Sequence, residues 1–405
     1  MTPRRLHAKI ISTLMLLAPL ARAAEWAPYL SLDVYGGQSF FSGDNESPVT
    51  GPNGALLFVP AVAFSERFTL MPSVSARYQA VRDVQELAGG GFLTQEQQIY
   101  HGDVKGIWVL NERWRAKARL GYKREFIKDT TDEPWGKGLF DYGRWGLGVE
   151  AERRGDRWRS LRWALDFSET AFPNFDPLTI DNFGAEIAAG DATLDFRSHD
   201  ATWEGEYGFS DKASVSMLMF GAARPFRQQA VVQETGLFTG GKRMDYYVFA
   251  SLAPRVMLRE RQFIWSWEPS VQLNLSGASL FSNQNNYAAD VNVYNPNYYD
   301  YREYTLGTDV NFRVAGRATA GFGVGWTRRG YLDRPVQAGD GTFTETAIWS
   351  ETLRTRLSVG YPLGRGFSVS LQGAYEDAKS NMRYESTYRY NYSSSNYFLG
   401  LNYEM

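Results

Sequence analysis

The eleven residues Arg113–Lys123, RWRAKARLGYK, leave this chain few folds to choose from. Arg113, Arg115, Lys117, Arg119 and Lys123 alternate with Trp114, Ala116, Ala118, Leu120 and Tyr122. Successive side chains of a β-strand point to opposite faces, so the stretch is a ribbon with one cationic side and one apolar side. The cationic side needs water, and the apolar side needs shelter from it.

The same period of two runs through most of the chain, while the helical period of 3.6 is nearly absent. In Phe263–Leu275, Phe263, Trp265, Trp267, Val271, Leu273 and Leu275 alternate with Ile264, Ser266, Glu268, Ser270, Gln272 and Asn274. Phe367–Tyr375 and Arg317–Trp326 repeat the pattern, the latter setting Ala318, Ala320, Phe322, Val324 and Trp326 against glycine and threonine. A kelch-type propeller has a similar repeat but shorter strands. A soluble sandwich does not place Trp and Tyr on the outside of strand after strand.

Punctuation supplies the count. Short polar turns are expected at Ser65–Arg67, Asn111–Glu112, Arg154–Asp156, Ser210–Asp211, Arg259–Arg261, Ala315–Gly316 and Pro362–Arg365. Longer polar segments alternate with them: Ser42–Asn53, Ala80–Gln97, Lys128–Lys137, Thr170–Phe196, Phe226–Lys242, Ala278–Asn297, Arg329–Phe343 and Lys379–Tyr384. Seven turns and eight loops imply sixteen strands. The fold class is therefore all-β: a transmembrane antiparallel up-and-down β-barrel of about 16 strands. Backbone survives in hydrocarbon only if every N–H and C=O is paired within the protein, and a closed sheet achieves that. Lipid-facing arginine near the bilayer midplane costs about 2–4 kcal/mol, so the cationic face of Arg113–Lys123 turns to the lumen.

The N-terminus reads as an export signal. Arg4, Arg5 and Lys9 precede the apolar run Ile10–Leu20, and Ala21–Ala23 forms a small-x-small cleavage site. The expected division is residues 1–23 as signal peptide and 24–405 as barrel. The formal charge is −2, and loss of the four basic residues among the first 23 takes it to −6. That modest acidity argues against nucleic acid as a partner. Cysteine is absent, which excludes disulfides and thiolate metal sites. The mean hydropathy of −0.39 excludes a helical membrane protein.

With these features the chain resembles the bacterial outer-membrane β-barrels, over nearly all of its mature length. The most specific match is the C-terminal YFLGLNYEM, in which Gly400, Leu401, Tyr403 and Met405 resemble the signal that the barrel-insertion machinery reads. It departs from the family pattern in ending on Met405 rather than phenylalanine, and in Phe398 standing where a polar residue is common. The resemblance implies the outer membrane as location, its lipid and the insertion machinery as partners, and no cofactor. It reaches no subfamily.

No enzyme is expected. His101 and His199 are the only histidines outside the signal peptide, and neither has metal-ligand spacing. His199 lies on the apolar parity of its strand, as an interfacial residue would. The lumen-lining candidates are Arg113, Arg115, Lys117, Arg119 and Lys123 on the fifth strand, Asp200, Glu204 and Glu206 on the eighth, and Arg354 and Arg356. As opposed charged walls these would set a transverse field; paired across strands they would merely line the lumen. A sixteen-stranded cylinder is roughly 30 Å across, too wide for side chains alone to fill. The loop Thr170–Phe196, with Asp176, Asp181, Glu186 and Asp191 and no lysine or arginine, is the candidate constriction. The tyrosine-rich segment around Tyr287–Tyr304 suits an aromatic girdle, and less so a sugar-binding surface.

The leading expectation is a conduit for polar or charged solutes, or for an exported polysaccharide, through a charge-lined lumen. The alternative is a non-conducting scaffold or adhesin barrel with a plugged lumen. A surface lipid hydrolase comes last.

Overall fold

The structure is a computed structural model; it describes residues 25–42, 49–80, 83–87, 90–94, 96–128, 132–175, 192–258, 261–262, 266–288, 292–314, 317–384 and 390–405. The wall is made of β1 (Glu25–Phe41), β2 (Val49–Ser65), β3 (Phe68–Gln79), β4 (Glu96–Val109), β5 (Trp114–Lys128), β6 (Tyr142–Arg154), β7 (Trp158–Ala171) and β8 (Phe196–Ser210). It continues through β9 (Ala213–Val232), β10 (Phe238–Met257), β11 (Ser266–Ser282), β12 (Tyr301–Val314), β13 (Ala318–Gln337), β14 (Phe343–Gly364), β15 (Phe367–Ser380) and β16 (Tyr392–Glu404). The two-residue piece Arg261–Gln262 pairs with β11 and adds no position to the ring. Every strand is antiparallel to its neighbours, and β1 pairs with both β2 and β16. The sheet is closed.

The closing seam is keyed by two reciprocal contacts. Tyr35 stands opposite Gly400 and Gly37 opposite Phe398. The Tyr35 ring fills the space over Gly400, and the Phe398 ring fills the space over Gly37, so neither glycine has room for a Cβ. Gly400, read from sequence as part of an insertion signal, thus has a packing reason as well.

Cross-strand registers put like with like. Leu120, Leu147 and Phe167 stand side by side on the outside of β5, β6 and β7, and Lys117 stands beside Glu150 on the inside. Leu120, Leu165 and Leu399 are each more than 60% exposed, which only a lipid solvent makes favourable across a whole surface. Aromatic pairs gather on the outside at the short-turn ends. Phe68 stacks on Trp108, Trp114 on Trp163 and Trp267 on Phe312, with Phe367 tilted against Tyr403. This is the interfacial belt of a membrane barrel.

The short turns at 65–67, 111–112, 154–156, 210–211 and 362–365 fall where the sequence places them, and residues 259–260 and 315–316 of the other two lie outside the described residues. The long loops differ, because β9 with β10 and β13 with β14 run on as hairpins whose strands are 20 to 22 residues long. Beyond the bilayer both faces of a ribbon meet water or other loops, so the alternation that marked the strands fades there. The hairpin ends build a crown with a core of its own, Val336, Ile348 and Met382, flanked by Tyr331, Tyr384 and Tyr390. Arg243 is buried elsewhere at this end, bidentate to Asp245 at 2.7 and 2.8 Å and held between the rings of Phe226 and Tyr299. Arg334 lies against Tyr298 and Tyr331 and donates to the Tyr390 hydroxyl at 2.9 Å. The tyrosines of this region therefore cage arginines, and Tyr298 and Tyr299 form neither a girdle nor an open sugar platform.

Four loop mouths share one device. Asp141, Asp195, Asp300 and Asn391 each directly precede a descending strand. Each accepts the backbone N–H at the end of the ascending partner, from Ile127, Phe172, Ser282 and Ser380, at 2.7–2.8 Å.

Candidate functional site in the lumen

The inner wall carries charge in two ladders. On β5–β8, Lys117 Nζ lies 2.5 Å from Glu150 and 2.6 Å from Glu152. Arg162 bridges Glu150 at 2.8 Å and Glu204 at 2.7 Å. Arg119 reaches Asp166 at 2.6 Å, Lys123 reaches Glu125 at 2.5 Å, Arg144 reaches Asp200 at 3.4 Å and Arg159 reaches Glu206 at 3.0 Å. On β12–β15, Arg356 pairs with Asp309 at 3.2 Å, Arg329 with Glu303 at 2.7 Å, and Arg354 with Glu376.

The basic fifth strand and acidic eighth strand are thus not opposed walls. They lie three strands apart and interlock through β6 and β7, so the charges cancel locally. Arg113 departs from its expected place: it sits in the 110–113 turn, one residue before β5 begins. Arg115 stands in register with Glu152.

Glycines set the reach of these ladders. Gly148 lies on β6 between Arg119 and Asp166, and Gly323 lies on β13 between Asp309 and Arg356. A Cβ at either position would collide with the carboxylate. A bare backbone lets an ion pair span an intervening strand.

Gly321 and Gly323 on the lumen face of β13 also hollow the wall. A cavity of about 560 Å³ lies against it. Asp309, Asn311, Arg356, Ser358, Gln372, Asn396 and Phe398 line it from β12 to β16, and Gln79 and Gln97 line it from β3 and β4. β4 and β12 are half a ring apart, so the cavity is bounded from both sides of the lumen. A second cavity of about 240 Å³ shares Gln79, Gln372 and Phe398 with it and adds Asp33, Tyr35 and Arg77. The carboxamides escape a reading that looks for charge. Their signal in the sequence is Gln and Asn at the polar parity of their strands, with Asn311 standing opposite Gly321 in the run of alternate glycines.

The remaining candidates fall as follows. Asp176, Asp181, Glu186 and Asp191 of the expected constriction loop lie outside the described residues. Leu401 and Tyr403 face outward with Leu399, and Met405 is exposed at the chain end. His199 packs on Phe167 at 5.2 Å on the lipid side, with no carboxylate paired to it among the described residues. His101 is 3.9 Å from Asp103 on the lumen side.

No family model and no curated protein matches the chain. Solved structures do. OmpT of Vibrio cholerae, in its trimer form, superposes with a TM-score of 0.47 at 11% identity, covering 95% of this chain and 100% of that one. OccAB3 of Acinetobacter baumannii gives 0.49 at 9% identity, covering 94% and 99%. OpdK of Pseudomonas aeruginosa, solved with vanillate, gives 0.47 at 8%, covering 93% and 98%. At that distance residue roles do not transfer. Closure at β1–β16, the apolar exterior, the aromatic belt and the charged interior stand by themselves: the chain is a sixteen-stranded β-barrel of the bacterial outer membrane.

Proposed function

We propose that the barrel is a conduit for small polar and charged solutes. The observation that carries this reading is a lumen wall of paired charges and carboxamides around a cavity of about 560 Å³. Side chains of that kind are stable in the interior of a membrane barrel only when hydrated or filled by a polar guest. Because the ladders are internally neutralised, the wall presents little net field, and ion preference should be weak. The cavity suits one small molecule at a time, so an exported polysaccharide is the weaker of the two cargoes named from the sequence.

Planar-bilayer recording tests the reading. Purified barrel should give stepwise KCl conductance, and Arg356→Glu, which places two acids beside each other at Asp309, should shift it toward cations. Absence of steps, with steps regained on removal of residues 176–191, would favour the plugged scaffold instead.

A further inference from the structure

We infer that the lumen cavity binds a neutral, hydroxyl-rich solute of one or two sugar rings, in preference to an ion. This rests on the conduit reading and names its substrate class.

The cavity's volume lies within the roughly 300–1,000 Å³ of ordinary small-molecule sites. Its placement makes it a checkpoint. Gln97 on β4 and Asn311 on β12 face it from opposite sides of the ring, so a solute crossing at this level passes between them.

Its charge is self-cancelling. The ionised side chains lining it are Asp309 and Arg356, already paired at 3.2 Å across Gly323. An entering anion or cation would compete with a partner in place, and a neutral guest would not.

Its hydrogen-bonding chemistry is amide. Gln79, Gln97, Asn311, Gln372 and Asn396 each carry two N–H donors and an accepting oxygen. A sugar hydroxyl also donates and accepts, and so matches a carboxamide in either sense. Carboxylate guests only accept and ammonium guests only donate, leaving half of each amide idle. Phe398, held over Gly37 at the seam, supplies an apolar surface for the C–H face of a ring.

One atom is left over. The Asn396 Oδ1 is buried without a hydrogen-bond partner, although Asn396 lines the cavity. A buried orphan acceptor is unfavourable by about 1–3 kcal/mol, and a small rotation of the amide toward a guest hydroxyl would relieve it.

The test adds glucose, sucrose, sodium gluconate or glucosamine hydrochloride to the barrel in planar bilayers at matched ionic strength. Glucose and sucrose should lower the conductance saturably, and gluconate and glucosamine should do so less. Asn311→Leu with Gln372→Leu should weaken sucrose block by about tenfold or more, the loss of one or two hydrogen bonds, with block measured against the variant's own sugar-free KCl conductance. Heat-modifiable gel mobility and circular dichroism confirm that the variant folds. KCl conductance without saturable sugar block, stronger block by either charged analogue, or unchanged block in the variant would each overturn the inference. If KCl conductance itself is missing, the conduit reading fails. Calorimetric titration of the detergent-solubilised barrel with sucrose then decides the site: binding lost in the variant upholds it, and no binding ends it.

Discussion

Arg119 on β5 and Asp166 on β7 form an ion pair, Nη2 to Oδ2 at 2.6 Å, across a strand to which neither belongs. Gly148 on β6 makes the crossing, since any Cβ there meets the Asp166 carboxylate. The carboxylate is the movable end of a side chain, so Gly148→Leu should leave the barrel folded but separate the pair. Both charges would then stay in the lumen apart; with Asp166→Asn added, Arg119 faces the lumen uncompensated, and reversal potentials in a KCl gradient should move toward anion preference. An unchanged reversal potential would mean that this pair lies off the ion path.

Exterior positions should be intolerant of charge. Leu120 is 61% exposed on the outer face. Leu120→Arg should destabilise the membrane-inserted barrel by about 2–4 kcal/mol, measured as a lower midpoint in denaturant-dependent folding into vesicles. Arg119→Leu, one residue away on the inner face, should have a far smaller effect.

Lys117 serves two acids. Removing it in Lys117→Met leaves Glu150 with Arg162 and Glu152 with Arg154, each short of one partner. Stability should fall by about 1–3 kcal/mol. Adding Glu150→Gln and Glu152→Gln should recover part of it, read from urea unfolding of the three proteins.

The crown should unfold apart from the wall. Ile348 is 1% exposed within the Val336–Met382 cluster. Ile348→Ala creates a cavity there, costing about 2–5 kcal/mol locally. Amide exchange across residues 332–349 and 378–384 should quicken while the exchange of β5–β8 stays slow.

Two loop carboxyls give a pH signature. Burial, the largest influence on each, holds Asp141 and Asp300 above the ordinary aspartate value of 3.8, against the downward pull of the N–H bonds from Ile127 and Ser282. The folded chain therefore binds these protons more tightly than the unfolded chain. Their contribution is fully present below 3.8 and is lost as pH rises through the raised values. Exchange at Ile127 and Ser282, corrected for intrinsic rates, should be slower on the acid side of that window, and Asp141→Asn should abolish the dependence at Ile127.

The barrel was legible because lipid imposes a strict rule. Where Leu120, Leu147 and Phe167 share an outer face and Lys117 and Glu150 an inner one, each strand carries its own label. The strand count and the described short turns follow from it, as does the expectation that Arg115, Lys117, Arg119 and Lys123 face inward. Pair partners did not, because register decides them: the sequence shows a basic β5 and an acidic β8 without showing Arg162 and Gly148 joining them. The hairpin extensions were hidden because outside the bilayer nothing enforces alternation. The loop-mouth device does leave a trace, an Asp or Asn followed by an aromatic at Asp141–Tyr142, Asp195–Phe196, Asp300–Tyr301 and Asn391–Tyr392. Its role emerges only once the ascending strand is placed beside it.

The rings of Tyr35 and Phe398, each resting on the other strand's glycine, work as a proofreading latch for the final pairing. A slip of one residue between β1 and β16 would press Tyr35 against Leu399 or Leu401 and turn Asp33 toward the acyl chains. An open precursor sheet feels no such penalty. The penalty for a wrong register therefore falls at the step that closes the ring.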